Sequence, residues 1–109
     1  MPLILHVIAD CPSDGAAAAL LQTLLDSLSA WTPKSREVPQ RYWKRPECFA
    51  FLLELEPPTL RSYAAVRALA GGSWSDLDAE EERSAVWNRG SEGPFLSEEV
   101  IWAELLLYP

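Results

Sequence analysis

The apolar pattern of this chain predicts an α+β fold: a mainly antiparallel sheet with two helices on one face, ferredoxin-like with an extra strand. Two segments repeat their apolar residues every three or four positions, as amphipathic helices do. The other patterned segments are apolar at alternate positions or throughout, as strands are, and the order is β-α-β-β-α-β-β. The 109 residues have the length of one domain, so we expect a single α+β domain over residues 1–109.

The first part of the chain supplies a central strand and the longer helix. Residues 3–9 are apolar on both faces, which suits a strand in the middle of a sheet. Ser13 or Asp14 then caps a helix over about 15–30, whose apolar residues form one stripe. That helix ends before Pro33, because the residue that precedes a proline avoids the helical conformation.

The middle of the chain predicts an edge strand followed by the clearest strand. Residues 34–45 are basic and aromatic, and Pro39 and Pro46 limit any strand there to the edge of the sheet. Basic and aromatic residues together also occur in proteins that bind single-stranded nucleic acid. The acidic balance of the whole chain opposes that function, and we expect a cationic edge that discourages pairing with other chains. Residues 48–56 alternate regularly and predict a strand beside the core.

The second half adds one helix and the last strands. Thr59 is placed to cap the second helix, and Gly71-Gly72 to end it. Residues 75–82 have the pattern of a short acidic helical turn. Residues 83–89 and 99–108 alternate as strands do, with residues 100, 102, 104, 106 and 108 on one face of the last strand.

Acidic residues are concentrated near the C-terminus. The chain has 16 acidic and 9 basic residues, a net charge of −7, and residues 76–109 alone hold nine of the acids against two arginines. Residues 31–47 have the opposite balance, a net charge of +3. A negative field repels nucleic acid and anionic membranes and attracts basic partners. We therefore expect a protein partner, and neither nucleic acid nor a membrane.

The sequence offers no signal for export. No apolar run has the length of a membrane span, and the N-terminus lacks the basic region of a signal peptide. Cys11 and Cys48 are the only cysteines, and their spacing fits no common metal site. We expect a cytoplasmic protein whose thiols are reduced.

Catalytic patterns are equally sparse. His6, the single histidine, lies within a predicted strand. Asp10 is about 13 Å further along that strand, too far to orient His6 as a general base. Glu54 and Glu56 share a strand face, as ordinary solvent-facing residues do. We therefore expect neither enzymatic activity nor a cofactor nor a metal site.

The most informative feature is an acidic stretch with aromatic neighbours. Trp74 and Trp87 flank it and are expected beside it on the surface, whereas Trp102 is expected in the core. Protein interfaces concentrate their energy in aromatic anchors, and charges steer the encounter. The expected partner-binding residues are Trp74, Asp76, Asp78, Glu80, Glu81, Glu82, Trp87 and Glu92.

The segment WNRGSEGPFL at residues 87–96, followed by VIWAEL at residues 100–105, resembles bacterial immunity proteins of polymorphic toxin systems. These are small, acidic, cytoplasmic α+β proteins that neutralise a cognate toxin, often a nuclease. The resemblance implies that a monomer binds one toxin and occludes its basic active site, without catalysis or a cofactor. An alternative stays open: a small ferredoxin-like ligand-binding or regulatory domain that acts as a homodimer through its sheet.

Overall fold

A computed structural model gives the architecture of residues 2–70, 74–76, 83–88 and 95–108. The described strands are β1 (Leu3–Asp10), β2 (Lys34–Ser35), β3 (Gln40–Tyr42), β4 (Arg45–Leu55), β5 (Trp74–Asp76), β6 (Arg83–Asn88) and β7 (Val100–Leu107). The helices are α1 (Asp14–Ser27) and α2 (Leu60–Arg67), and each leads into a single 3-10 turn, Ser29–Trp31 and Ala68–Ala70. None of the helices in the described ranges is long and apolar enough to cross a membrane.

The strands form one sheet in the order β2-β4-β1-β7-β6-β5, and β3 also pairs with β4. Every strand pair is antiparallel. The α+β class, the two helices and the antiparallel sheet are thus confirmed. The strand order differs from the expected one. The expected order, β-α-β-β-α-β-β, has five strands, whereas the described ranges contain seven. The basic segment splits into β2 and β3 around Pro39, and β5 pairs with β6 beyond β7.

β1 lies at the centre of the sheet because it is apolar on both faces. It pairs with β4 on one side and with β7 on the other. Leu3, Leu5 and Val7 point to the face that carries the helices and are fully buried. Ile4 and Ile8 point to the opposite face and are still only 5% and 6% exposed, because side chains of β4 and β7 flank them.

Both helices pack on the same face of the sheet. α1 buries Ala17, Leu20 and Leu24, and α2 buries Tyr63 and Val66, in one core with the inward residues of the strands. That strand set comprises Leu3, Leu5, Val7, Ala9, Phe49, Phe51, Leu53, Leu55, Trp74, Ala85, Trp87, Val100, Ala103, Leu105 and Leu107. The two described helices therefore cover the same face of the sheet.

Side-chain caps fix where the helices begin. The Ser13 hydroxyl accepts a hydrogen bond from the backbone N–H of Ala16 at 3.1 Å, and the Thr59 hydroxyl accepts one from Ser62 N–H at 3.2 Å. Each cap satisfies an N–H that the first helical turn leaves unpaired. Ser13 is thus the cap of α1, and Thr59 is confirmed as the cap of α2.

α1 is shorter than its sequence pattern predicts. It ends at Ser27, and the 3-10 turn that follows places Thr32 in the left-handed region, at a φ of 46°. The Trp31 carbonyl accepts a hydrogen bond from Glu56 N–H at 2.7 Å, so this turn connects the end of α1 to the end of β4. The chain therefore leaves the helical path before Pro33 is reached.

The predicted acidic turn is wrong where the structure describes it. Trp74, Ser75 and Asp76 form β5, which pairs with β6 so that Trp74 lies opposite Trp87. Burial of Trp74 in the core explains the strand, since a strand directs alternate side chains to one face of a sheet. Residues 77–82 and Gly71-Gly72 lie outside the described residues.

A β-bulge interrupts the alternation of β7. Trp102 lies opposite Ile8, and Val100 lies opposite the next residue, Ala9, so Ile101 is the extra residue. Val100 joins the helix-side core, while Ile101 and Trp102 both line a groove on the other face. The expectation that Val100 shares a face with Trp102 is therefore wrong, because the bulge adds one residue between them.

Candidate functional site

Two of the expected surface anchors belong to the core. Trp74 is 8% exposed and Trp87 is 1% exposed. Both pack against Phe95, whose ring centroid lies 5.2 Å from that of Trp74 and 5.7 Å from that of Trp87. The expectation that Trp74 and Trp87 lie on the surface is wrong, because β5 and β6 direct both side chains to the helix-side face.

The expected acidic residues are only partly described. Asp76 lies in β5, opposite Ala85 of β6. The other five lie outside the described residues: Asp78, Glu80, Glu81, Glu82 and Glu92. The structure thus brings Trp74, Asp76 and Trp87 together in one strand pair and leaves the rest of the expected set as a prediction.

The described surface that most resembles a binding site is the face of the sheet without helices. We call it the open face, and it comprises Ile4, His6, Ile8, Ala50, Leu52, Glu54, Ser84, Val86, Asn88, Ile101, Trp102, Glu104 and Leu106. Among the described residues no helix packs on it, and most of its side chains are half-buried. A partly exposed and largely apolar surface of this kind is typical of interaction sites.

Trp102 and His6 form the centre of the open face. Their rings meet edge to face, with centroids 5.5 Å apart and an interplanar angle of 86°. Trp102 is half-buried on this face, so its expected place in the core is wrong. Burial lowers the pKa of His6, while the carboxylates of Glu104 and Glu37 act in the opposite direction. His6 is therefore neutral at pH 7 and serves as an aromatic neighbour of Trp102.

A groove of about 290 Å³ opens beside this ring pair. Its walls comprise His6, Ile8, Tyr42, Arg45, Asn88, Ile101 and Trp102. The volume lies at the lower end of the range for small-molecule pockets. A groove of this size has room for one large side chain, and Tyr42 and Trp102 are among its lining residues.

Glu104 is a charged group within an apolar surround. It lies opposite His6 on β1 and opposite Val86 on β6, and Trp102 and Leu106 are its neighbours on the same face of β7. Its side chain is half-buried and makes no ion pair with a described residue. Glu54 on the same sheet face, by contrast, lies 3.5 Å from the Arg36 guanidinium. Glu104 therefore differs from Glu54 in having no cation beside it among the described residues.

The two cysteines are free and point to opposite faces of the sheet. The Cys11 side chain belongs to the helix-side core, whereas Cys48 Sγ donates a hydrogen bond to Asp10 Oδ1 at 3.3 Å on the other face. Burial and the Asp10 carboxylate raise the pKa of Cys48 to about 11. The two thiols are thus placed apart, and a protonated Cys48 is a poor nucleophile at neutral pH.

The described residues contain no group of three or more His, Cys, Asp or Glu side chains that could hold a metal ion. No family model, curated protein or solved structure matches this chain.

Sequence analysis missed the open face, although one signal for it was present. Trp102, Glu104 and Leu106 alternate in β7, and Ile4, His6 and Ile8 alternate in β1. That pattern predicts that these six residues share a face once β1 and β7 are known to be neighbours. The sequence does not say which face the helices cover, so it could not assign the Trp102 side to solvent.

Proposed function

We propose that this protein is an immunity-type inhibitor, which binds a basic protein toxin one-to-one and covers its active site. The observation that carries the proposal is the open face, a largely apolar surface on which no described helix packs and whose Glu104 carboxylate makes no ion pair with a described residue. Inhibitors of this kind need a preformed surface and no chemistry of their own.

Trp102 is the proposed aromatic anchor of the interface. It is half-buried in the free protein, next to the groove and in contact with His6. A side chain already held by neighbours loses little conformational freedom on binding. Tryptophan is also among the residues on which interface energy most often depends.

Glu104 supplies the charge complementarity. A lysine or arginine of the partner that reaches Glu104 is shielded from water by Trp102 and Leu106 on either side of it. Desolvated charge pairs in inhibitor complexes couple by about 1.5–7 kcal/mol. The net charge of −7 adds long-range attraction for a basic partner. In this proposal Asp76, Asp78, Glu80, Glu81, Glu82 and Glu92 steer the encounter.

The same charges argue against the homodimer alternative. Two copies that meet through the open face bring two Glu104 carboxylates toward each other, each on a chain of net charge −7. Like charges across an interface oppose association. A basic partner is therefore the better complement for this face.

The proposal extends to the fold. A ferredoxin-like core would consist of β1, α1, β4, α2 and β7, with β2 at the edge. The position of β1 between β4 and β7 supports this assignment, and so does the packing of both helices on one face. β5 and β6 would then be an addition beyond β7.

Two matched pairs of variants test the function. Glu104→Gln removes the central charge, and Glu56→Gln removes a charge from an exposed position. Trp102→Ala removes the proposed anchor, and Leu60→Ala removes an apolar side chain that is 57% exposed on α2, on the other side of the sheet from the groove residues. Each variant serves as tagged bait in lysate of the source organism, followed by measurement of Kd and of toxin inhibition with the captured protein.

The proposal requires one stoichiometric basic protein whose toxic activity is inhibited at a one-to-one ratio. Glu104→Gln and Trp102→Ala are each expected to weaken Kd at least about ten-fold, while the two control variants leave it unchanged. If all four variants bound the captured protein equally well, the interface would lie elsewhere on the chain. Capture of further copies of the bait alone, with a dimer mass in light scattering, would favour the regulatory homodimer.

A further inference from the structure

A larger groove lies on the helix side of the sheet, away from the open face. We call it the α1 groove, and its volume is about 590 Å³. α1 forms one wall through Ala17, Ala18 and Leu21, and the connection between β2 and β3 forms the other through Val38 and Pro39. The volume lies within the range of sites that bind small molecules.

The α1 groove has one wall of small side chains and one wall that hydrogen bonds hold in place. Ala17 and Ala18 are too small to fill the space between α1 and the sheet edge. The opposite wall is held in place, because Arg36 N–H donates to the Leu52 carbonyl at 2.9 Å and the Ser35 hydroxyl donates to the Glu37 carbonyl at 2.7 Å. Val38 is left 78% exposed above the groove.

The lining of the α1 groove combines apolar walls with two carboxylates. Asp14 stands on the α1 wall and Glu37 on the opposite wall, both exposed and neither paired with a cation among the described residues. The nearby guanidinium of Arg41 lies 4.8 Å from the centroid of the Phe49 ring and donates to the Pro46 carbonyl at 2.7 Å. The charged groups that line the groove are therefore negative.

We propose that the α1 groove binds a small organic cation, an ammonium group attached to an aliphatic or aromatic body. The ammonium lies toward Asp14 and Glu37, and the hydrocarbon covers Ala18, Leu21 and Val38. An anion of the same shape meets two carboxylates, and a neutral molecule gains no charge interaction. This inference is separate from the proposed inhibitor function, because the α1 groove and the groove beside Trp102 share no lining residue.

Titration of the full chain with defined probes tests the proposal. The probes are butyl-, hexyl- and octyltrimethylammonium, with octyl sulfate and octanol as controls of matched length, all below the concentration at which they form micelles. Amide shifts of the ¹⁵N-labelled protein report both Kd and the site of binding. The expected shifts fall on Ala17, Ala18, Leu21 and Val38, and each added methylene tightens Kd about two- to four-fold.

Matched variants separate the groove from general effects. Glu37→Gln is expected to weaken the binding of octyltrimethylammonium about two- to five-fold, whereas Glu56→Gln, with the same change in net charge, leaves Kd unchanged. Ala18→Phe fills the groove and abolishes binding. Ala19→Phe adds the same ring at the next exposed position of α1, which does not line the groove, and keeps binding intact.

Three results would overturn the proposal. If octyl sulfate bound as tightly as octyltrimethylammonium, the carboxylates of Asp14 and Glu37 would have no role in binding. Shifts confined to the open face would show that the apolar probes prefer Trp102. If Glu37→Gln and Glu56→Gln weakened the binding of octyltrimethylammonium equally, net charge and not the groove would control binding. If Ala18→Phe and Ala19→Phe weakened it equally, helix stability would control binding.

Discussion

Replacement of Trp87 by alanine tests the division between core and open face most directly. Trp87 and Trp102 are tryptophans of neighbouring strands, and Trp102 lies opposite Asn88, the residue after Trp87. Trp87 is 1% exposed and packs on Phe95 among the helix-side core residues. Trp102 is half-buried and faces away from the helices. Trp87→Ala and Trp102→Ala therefore remove the same side-chain atoms, the first from the core and the second from the half-buried open face.

The magnitudes follow from the burial of each side chain. Burial of about 200 Å² of aromatic surface at about 25 cal/mol per Å² contributes about 5 kcal/mol. We expect Trp87→Ala to lower the free energy of unfolding by about 3–5 kcal/mol, since the packed core around the cavity relaxes only partly. We expect Trp102→Ala to cost about 1–2 kcal/mol, because the lost ring is partly in water already. Small domains have about 5–15 kcal/mol in total, so only the first change threatens folding.

Urea unfolding followed by far-ultraviolet circular dichroism measures both effects without relying on tryptophan fluorescence. With a slope of about 1–3 kcal/mol per molar urea, Trp87→Ala is expected to move the midpoint by about 2 M and Trp102→Ala by less than about 1 M. Similar midpoints for the two variants would refute the assignment of opposite faces. So would a larger loss for Trp102→Ala.

Three further predictions concern single side chains. Ser13→Ala should cost about 1 kcal/mol in urea unfolding through the lost cap of α1, and Ser13→Gly only a few tenths. The pKa of Cys48 is raised to about 11 from 9.0, so this thiol should resist iodoacetamide at pH 8 in the folded protein, and labelling at the rate of a free thiol would contradict this. Its contribution to stability should be lost as the pH rises from about 9 to 11, because only the unfolded thiol ionises there. Burial lowers the pKa of His6 below 6.5, so the unfolded chain binds a proton at a higher pH than the folded chain and stability should fall as the pH drops through 6.5. Since Glu104 raises that pKa, Glu104→Gln should lower it further in an NMR titration of this single histidine, and an unchanged value would place Glu104 too far away to act.

The fold was predictable to the extent that local patterns determine it. Residues 3–9 are apolar on both faces, a pattern that suits a central strand, and β1 is that strand. The caps Ser13 and Thr59 act through hydrogen bonds within three residues, so the sequence contains the whole interaction. β5 was missed because Trp74 is in a strand for a non-local reason, its contact with Phe95. The bulge at Ile101 was missed because it is a mismatch between two strands.

The candidate site was less predictable than the fold. The alternating pattern predicts that Trp87 and Asn88 point to opposite faces of β6, but it does not indicate which face the helices cover. The same ambiguity placed Trp102 in the core and Trp74 at the surface. Charge counting is independent of faces, so the expectation of a basic partner still follows from the sequence.

The bulge in β7 makes the strand tolerant of a change in its length. Because Trp102 already lies opposite Ile8 and Val100 opposite Ala9, deletion of Ile101 leaves a regular ladder in which the residues on either side keep their faces. Deletion of Ala103, which has a partner on β1, instead forces every residue on one side of the gap to change face. Ile101 is thus a position where the chain can shorten while the core-facing sequence stays in register, and the wall of the 290 Å³ groove can vary independently of the hydrophobic interior.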